Sequence, residues 1–554
     1  MLYRSLAFER MPWKGDAVAE AVIEERQLLK SLHWYDGFVI ALCQPAFLLG
    51  SLGFTLATIG AWGSVLLWGI SATVGLLQNF IYSETAAMFP DKPGGIALYA
   101  HEGWRSRFSL FGPIAAFGYW IGWSVVLSFV GNIVGALIVA EWFPKSGDGT
   151  GDAYFNLGFA DFGLAQAMAI VVILGVWLFN VLGVKPSLAV GYVTGALLMV
   201  PLAIFVILAV WLFNVLGVRP SLAVGYVTGA LLMVPLFIFI VMPYFTGDWS
   251  SSNLEYVHNA GDPSLGFSDL SVALMWLFIM CWAAYGIEVC ASFAPEYHDT
   301  KRDTAKALKS AAAFSLFVYI FLPLGLGGVV GSTGDYGSFY VAALKEIAGD
   351  VIGGFAVVCL IASLILSMNT ATADGGRALY GIARDDMTIK WFHHLNRFHV
   401  PARGMTVDMV VNIGLLLLLG ANNFVILYIS NIGYVFCHVL ALSGFLLLRR
   451  DRPNWPRPIK MGGVWLPIAG ILALFNLVLV VYGVYDQALA SYLGFYEFTG
   501  LPLYLGIGVL VVSVLLFFYR RAVQDKAKIT FRDRDVPTMP NEEQMALLRE
   551  ESIA

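Results

Sequence analysis

Two short stretches of an otherwise apolar sequence carry groups that can do chemistry. The first, "ALCQPAFLLGSLGF" (41–54), places Gln44-Pro45-Ala46 in the middle of a hydrophobic run and follows them with Gly50, Ser51 and Gly53. The second, "MCWAAYGIEVCASF" (280–293), runs Trp282, Ala283, Ala284, Tyr285, Gly286 and then Glu288. Proline and glycine inside an apolar helix free backbone groups, and such breaks persist in a membrane where they line a cavity. Two interrupted helices at corresponding places in two halves of a chain point to a midplane transport site. A plain proline kink with small-residue packing would leave the same letters.

Other reactive groups lie in apolar surroundings. Glu288, about one turn from the second break, reads either as a neutral carboxyl bracing that segment or as a proton- or cation-binding carboxylate. His438 titrates near neutral pH when unperturbed, or serves as a satisfied core histidine. Ser363, Ser367, Asn369 and Thr370 place oxygens on one run that suit either a sodium site with carbonyls of the first run or helix backbone bonding. Tyr119, Trp120 and Tyr434 are pocket-wall candidates, whereas Glu84 and Asp374 are expected near cytoplasmic ends, paired with Arg or Lys. The five cysteines (Cys43, Cys281, Cys290, Cys359, Cys437) sit inside apolar runs without CxxC or metal spacing, as small core residues do. No cofactor or metal is expected; the coupling ion expected is the proton, with sodium as the alternative.

The elements that position these groups are membrane helices. Of 554 residues, 58% are hydrophobic and 13% charged, about half the charged share of a soluble domain. Apolar runs near 36–59, 62–88, 111–141, 164–183, 220–245, 271–294, 310–331, 351–376, 406–420, 423–448, 464–487 and 501–519 are each read as a helical span. Alternate loops split by charge. "GWRSR" (103–107), "DTKRDTAKALK" (299–309), 377–403, "RRDRPNWPRPIK" (449–460) and "RRAVQDKAK" (520–528) are basic, while 144–163, 246–270, 332–350 and 488–500 hold only Lys145 and Lys345 as cations. Lysine and arginine favour the cytoplasm, so both termini are expected inside a cell (inner or plasma) membrane. The first 34 residues mix both charges without an apolar core and read as a cytoplasmic tail.

One block is written twice. Residues 169–202 and 203–236 differ only at Val171/Phe205, Gly175/Ala209 and Lys185/Arg219. The extra copy, Pro186 to Val218, would be about 50 Å as helix at 1.5 Å per residue. That is long for one crossing of a core about 30 Å thick and short for two. A single crossing would invert every later loop, so the block is read as a tandem duplication of one helix-turn-helix piece, the end of span four and the start of span five, whose extra copy would preserve parity if bent near Pro201.

Four ordered segments carry a family resemblance: "YSETAAMFPDKPGGIALYAHEGW" (82–104), "WAAYGIEVCASFAPEYHDTKRDTAKAL" (282–308), "NTATADGGRALYGIARDDMTIKWFHHLNRFHVPARGM" (369–405) and "LLLRRDRPNWPRPIKM" (446–461). Together they resemble the amino acid–polyamine–organocation transporters. The resemblance implies an all-α polytopic LeuT-type fold: inverted five-helix repeats over about 35–245 and 271–448, and two final helices over about 464–519. Tails at 1–34 and 520–554 flank them. It implies alternating access, with Trp282 capping the substrate and Ala283 to Gly286 unwound so that their carbonyls receive an ammonium. Half-helix N-terminal amides of the first span, where Gln44, Pro45 and Ala46 lie, would receive the substrate's carboxylate. The family's G-S/T-G turn is replaced here by "CQPAFLLGS", which favours amines relative to amino acids. The loop 144–163 lacks the cysteine by which some animal members hold a heavy chain, so no disulfide-linked partner is expected. Without HExxH, GxSxG or a P-loop, an enzyme is not expected, and nothing indicates nucleic acid binding. The reading is a secondary carrier of amino acids, by proton symport or exchange. Carriers of polyamines or other organic amines, and a nutrient sensor of the same fold, are the alternatives.

Overall fold

The computed structural model describes residues 32–142, 155–156, 161–162, 164–181, 220–258, 266–332, 339–396, 401–419, 422–493, 500–533, 536–542 and 545. Among them the regular structure is helical apart from a two-residue antiparallel pairing of Phe155–Asn156 with Asp161–Phe162 and an isolated parallel bridge between Leu32 and Tyr297. Nine helices among the described residues are long and apolar enough to cross a bilayer, and three shorter apolar ones, Trp34–Leu49, Gln166–Leu178 and Gly229–Ile240, fall on the first, fourth and fifth runs. Of the doubled block, the start of the first copy forms part of helix Leu164–Val181 and the end of the second part of Pro220–Ile240. The extra copy, Pro186 to Val218, lies outside the described residues.

Burial separates inner from outer spans. The most apolar windows of Asn423–Asp451, Phe111–Trp142 and Asp269–Ser292 are 94%, 83% and 78% buried, against 28% to 33% for Ala402–Leu419, Trp465–Tyr485 and Leu501–Gln524. All six are apolar around their circumference. The first three therefore satisfy that character against protein, and the last three turn residues such as Ile471, Val481 and Leu515 outward, as lipid-facing helices do.

Glycine sets two junctions in this bundle. At Gly60, φ is +75°, which ends the first span and begins the second within one continuous helical stretch. The next turn is held by Trp62 N–H on the Glu255 carbonyl at 3.0 Å, and a Cβ on Gly60 would lie 2.4 Å from that oxygen. The third and tenth spans meet backbone to backbone. A Cβ at Gly118 would fall 2.4 Å from the Gly433 carbonyl oxygen, and one at Gly122 would fall 2.6 Å from the Tyr434 ring. Gly118 and Gly122 form a GxxxG pair, which permits this approach without a hydrophobic drive between helices in lipid.

The basic loops gather at one end. There Glu84 pairs with Arg449 and, at 3.1 Å, with Arg457; Arg107 pairs with Asp451 and Arg377 with Glu296 at 2.6 Å. Glu102 is the hub: Lys92 reaches it at 2.8 Å, Arg452 at 2.6 Å and Arg105 at 3.2 Å. Lys92 also bonds Asp385, at the end of the eighth span, at 2.9 Å. Burial pushes the Glu102 carboxyl up, but Lys92, Arg452 and Arg105 outweigh it and hold the group well below the usual carboxylate range. Neighbouring His101 is pushed down to about 4 by burial and stays neutral. The segment after the last span closes over this end. Phe531 O accepts from Ser109 N–H and Arg105 O from Asp533 N–H, each at 2.9 Å, and the Asp533 carboxylate takes the Arg105 guanidinium.

Two outcomes follow from this packing. Gly118→Ala lowers stability by about 1–3 kcal/mol, as an overpacked contact does, whereas Gly175→Ala, with nothing within 4 Å of the added carbon, leaves the thermal unfolding temperature in detergent unchanged. Glu102→Gln leaves the buried Arg452 guanidinium without its carboxylate and costs about 3–5 kcal/mol. Because the folded carboxyl lies below its unfolded value of about 4.3, its contribution is full at neutral pH and fades as pH falls through that folded value. Acid titration of unfolding should therefore steepen in the parent protein but not in the variant.

Candidate substrate and coupling site

Both candidate breaks exist, each displaced from its expected place. The first span turns at Leu42 (φ −63°, ψ −8°), between Trp34–Ala41 and the helix that begins at Cys43. Pro45 is thus the third residue of the new helix, within the first turn, where its missing N–H costs no hydrogen bond. In the sixth span the α-helix continues through Ala283, Ala284 and Tyr285, and only Gly286–Glu288 tightens into a 3₁₀ turn before Val289–Ser292 resumes. The expected unwinding over Ala283 to Gly286 is corrected accordingly: small residues alone leave helical hydrogen bonds intact.

The carbonyls expected to receive an ammonium are largely spoken for. The Tyr319 hydroxyl, from Thr300–Val330, lies 2.6 Å from Ala283 O and 3.0 Å from Gln44 O, so one side chain ties the two breaks together. The Ala284 carbonyl faces Gly75, where a Cβ would lie 2.5 Å away. Tyr285 turns its hydroxyl to Asn476 of Trp465–Tyr485 at 3.0 Å. Gly286 is where the two spans touch: a Cβ there would meet the Gln44 amide at 2.3 Å.

What the breaks bring together is a set of acceptors. Gln44 and Glu288 are fully buried, and Gln44 Oε1 and Glu288 Oε2 have no hydrogen-bond partner among the described residues. Glu288 Oε1 accepts from Trp123 Nε1 at 3.2 Å and from the Tyr434 hydroxyl. Tyr119 packs 6.3 Å, ring to ring, from Tyr434. Trp282 packs between the first and third spans, its ring 4.8 Å from Phe47 and 4.9 Å from Phe129, its indole N–H on Gly122 O at 2.7 Å. A cationic nitrogen fits between such acceptors better than an anion does.

The remaining candidates sit around this centre. Ser367 donates to Cys43 O at 3.2 Å and to Ser363 O at 3.0 Å, and Ser363 to Leu360 O at 2.7 Å. The eighth span thus touches the first break, with its hydroxyls engaged on backbone. His438 meets the Tyr82 hydroxyl at 2.8 Å through Nδ1, and Tyr434 stands beside it, 4.8 Å ring to ring. The side chains of Ala46 and Asn369 lie outside the described residues. Asp374 departs from expectation: it is fully buried and accepts from Ser292 of the sixth span. Asp408 was not singled out in the sequence. It is fully buried, with Trp120 Nε1 on Oδ1 at 2.5 Å. A lone aspartate inside "MTVDMVVNIG" (405–414) was its signal; Tyr319 had none, in a chain 14% aromatic. A cavity of about 700 Å³ lies apart from this centre, at the basic end beside Arg105, Arg521 and Thr530.

Helices broken around buried carboxyls, inside a ring of lipid-facing spans, fit a multi-pass membrane transporter. The chain belongs to the amino acid permease family, whose model matches residues 32–512, within the amino acid–polyamine–organocation superfamily. It is similar to the D-serine/D-alanine/glycine transporters of Escherichia coli K12 and O157:H7. The identity to each is 26% over 188 residues, 32% of this chain and 39% of theirs, so the likeness spans well under half of those relatives. A solved structure of a mutant manganese transporter from Eremococcus coleocola shares the fold, with TM-score 0.50 and 11% identity over 90% of this chain and 98% of that one.

Tyr319→Phe removes the one hydroxyl shared by Gln44 O and Ala283 O. Leaving buried carbonyls bare lowers stability by about 1–3 kcal/mol. Denaturation in detergent checks this, and an unchanged midpoint would show that the hydroxyl braces neither break.

Proposed function

We propose that this permease is a proton-coupled secondary carrier of small amino acids, working by alternating access across a cell membrane with its basic end in the cytoplasm. The observation that carries the reading is the pair of buried acceptors, Gln44 Oε1 and Glu288 Oε2, without hydrogen-bond partners among the described residues at the touching point of the two broken spans. Gln44 and Glu288 would receive the substrate ammonium, and the N–H groups of the first turn after Leu42 its carboxylate. Trp282 would cover the bound molecule. Glu288 would carry the coupling proton, since a carboxylate without a bonded cation inside a membrane is strongly disfavoured. The lysine and arginine bias of the gathered basic loops supports the orientation. The partial likeness to D-serine/D-alanine/glycine transporters puts small neutral amino acids first. The missing glycine turn in the first span makes organic amines the second reading.

Uptake of labelled glycine, D-alanine, D-serine and a set of amines into proteoliposomes tests this, with and without an acidic outside, in sodium and in choline buffer. The expected result is accumulation of a small amino acid that needs the pH gradient and ignores sodium. Glu288→Gln should lose accumulation and, because Glu288 also meets the ammonium, raise the KM of the exchange that remains. Uptake that follows sodium instead would move coupling to Ser363 and Ser367, and amine uptake alone would favour the second reading. Running a chain lacking 203–236 alongside shows whether the doubled block takes part.

A further inference from the structure

A second buried carboxyl, Asp374 of the eighth span, lies within electrostatic reach of Glu288 and has no part in the reading above. Glu288 and Ser292 are four residues apart on the sixth span, and the Ser292 hydroxyl donates to Asp374 Oδ1 on the eighth. Asp374 is fully buried, as Glu288 is. Its Oδ2, like Glu288 Oε2, has no hydrogen-bond partner among the described residues. Tyr119 supplies the independent observation. Its hydroxyl is fully buried, also without a hydrogen bond of good geometry, and it lies within electrostatic reach of both carboxyls, closest to Asp374. Tyr119 thus faces Asp374 from the third span, with one oxygen of each carboxyl left without a hydrogen-bond partner among the described residues.

The charged and titratable surroundings do not supply a counter-ion. On its own helix Asp374 has Arg377 in reach, but that guanidinium grips both oxygens of Glu296, at 2.6 Å and 3.1 Å, and Ala373 O at 2.9 Å. The sixth span contributes Glu288 and the Cys290 thiol, and the first span the Cys43 thiol. The ninth span brings another carboxyl, Asp408, whose Oδ2 abuts Gly375, where a Cβ would lie 2.6 Å away. Buried carboxyls in electrostatic reach of one another, without a bonded cation, do not all ionise in a low-dielectric interior; such a group holds a proton and titrates as a unit.

We propose that Asp374 is a second proton-carrying carboxyl of this carrier, joined to Glu288 through the Tyr119 hydroxyl and lying on the side of the basic end. The proposal rests on the proton-coupled reading. In the transfer, the Glu288 O–H bond breaks as its proton passes to the Tyr119 oxygen. The Tyr119 O–H bond breaks as that proton passes to Asp374 Oδ2. Tyr119 ends neutral, Asp374 protonated and Glu288 as the carboxylate, so atoms and charge balance. The negative charge then sits at the substrate, where it favours an ammonium, while the proton stands nearer its exit.

The test uses the full chain in proteoliposomes with labelled D-alanine, or the best amino acid of the panel, as probe. A one-proton symporter under a one-unit pH gradient sustains about tenfold accumulation, the 1.4 kcal/mol equivalent of one pH unit. Asp374→Asn should abolish that accumulation while keeping gradient-free counterflow within about twofold. Asp374→Glu should restore it, and Tyr119→Phe should move the midpoint of the uptake–pH profile. Full accumulation by Asp374→Asn overturns the proposal. So does loss of counterflow in both the Asn and Glu variants, which marks a structural role. Absence of gradient-driven accumulation in the parent protein, with counterflow intact, instead sinks the proton-coupled reading and takes this proposal with it.

Discussion

A hydrocarbon interior offers no water to a broken helix, so every backbone group that a break releases must find a partner in protein or in cargo. The centre of this permease is arranged around that constraint. The turn at Leu42 and the tightened segment Gly286–Glu288 release groups at one level, and Tyr319 ties the two with a single hydroxyl. Ser367 covers the Cys43 carbonyl. Gly286 has no side chain because the Gln44 amide fills the place where one would project. Most released groups are thereby quieted, and the polar atoms left over belong to side chains. On the function proposed above, recognition and proton handling would fall to Gln44, Glu288 and Asp374, while the backbone keeps the shape.

The rest of the bundle holds that centre in register. Gly118 and Gly122 let the third span lie directly on the tenth, which brings Trp123 and Tyr434 onto Glu288 from two helices at once. At the basic end the force changes character. Glu102 gathers three cations from three segments, and Lys92 extends the cluster to the eighth span through Asp385. Buried pairs of this kind add less stability than their number suggests, but breaking one partner is costly. They fix which loops meet, and any opening of this end must part Lys92 from Asp385.

Much of this was legible in the letters. Apolar runs place the helices because a bilayer allows few other solutions, and the basic loops mark one end because charge is kept out of lipid. Gln44-Pro45 and Gly286 announce that helices break, but not where: a proline is free to sit a turn inside the new helix, and alanines neighbouring a glycine stay helical. Glu84 met its arginines as its position suggested. Asp374 did not, because the partner that decides its environment, Ser292, lies 82 residues away on another span. Tyr285 was drawn out of the centre by Asn476 for the same reason. Periodicity speaks for one helix at a time, and a site shared by five helices is written in pairings that no single helix records.

The segment 530–533 has a bearing on how the protein is made. Its backbone bonds Arg105 and Ser109, and Asp533 engages the Arg105 guanidinium, yet these residues follow every membrane span in the chain. During synthesis the helices can insert and pack while Arg105, Ser109 and the ring of Phe108 still wait for Thr530 to Asp533 to emerge. A ribosome that stalls before those residues releases a bundle whose basic end lacks the partners of Arg105 and Ser109 and the Phe531 ring that stacks on Phe108. That is the kind of mark by which quality-control proteases distinguish a finished membrane protein from an abandoned one.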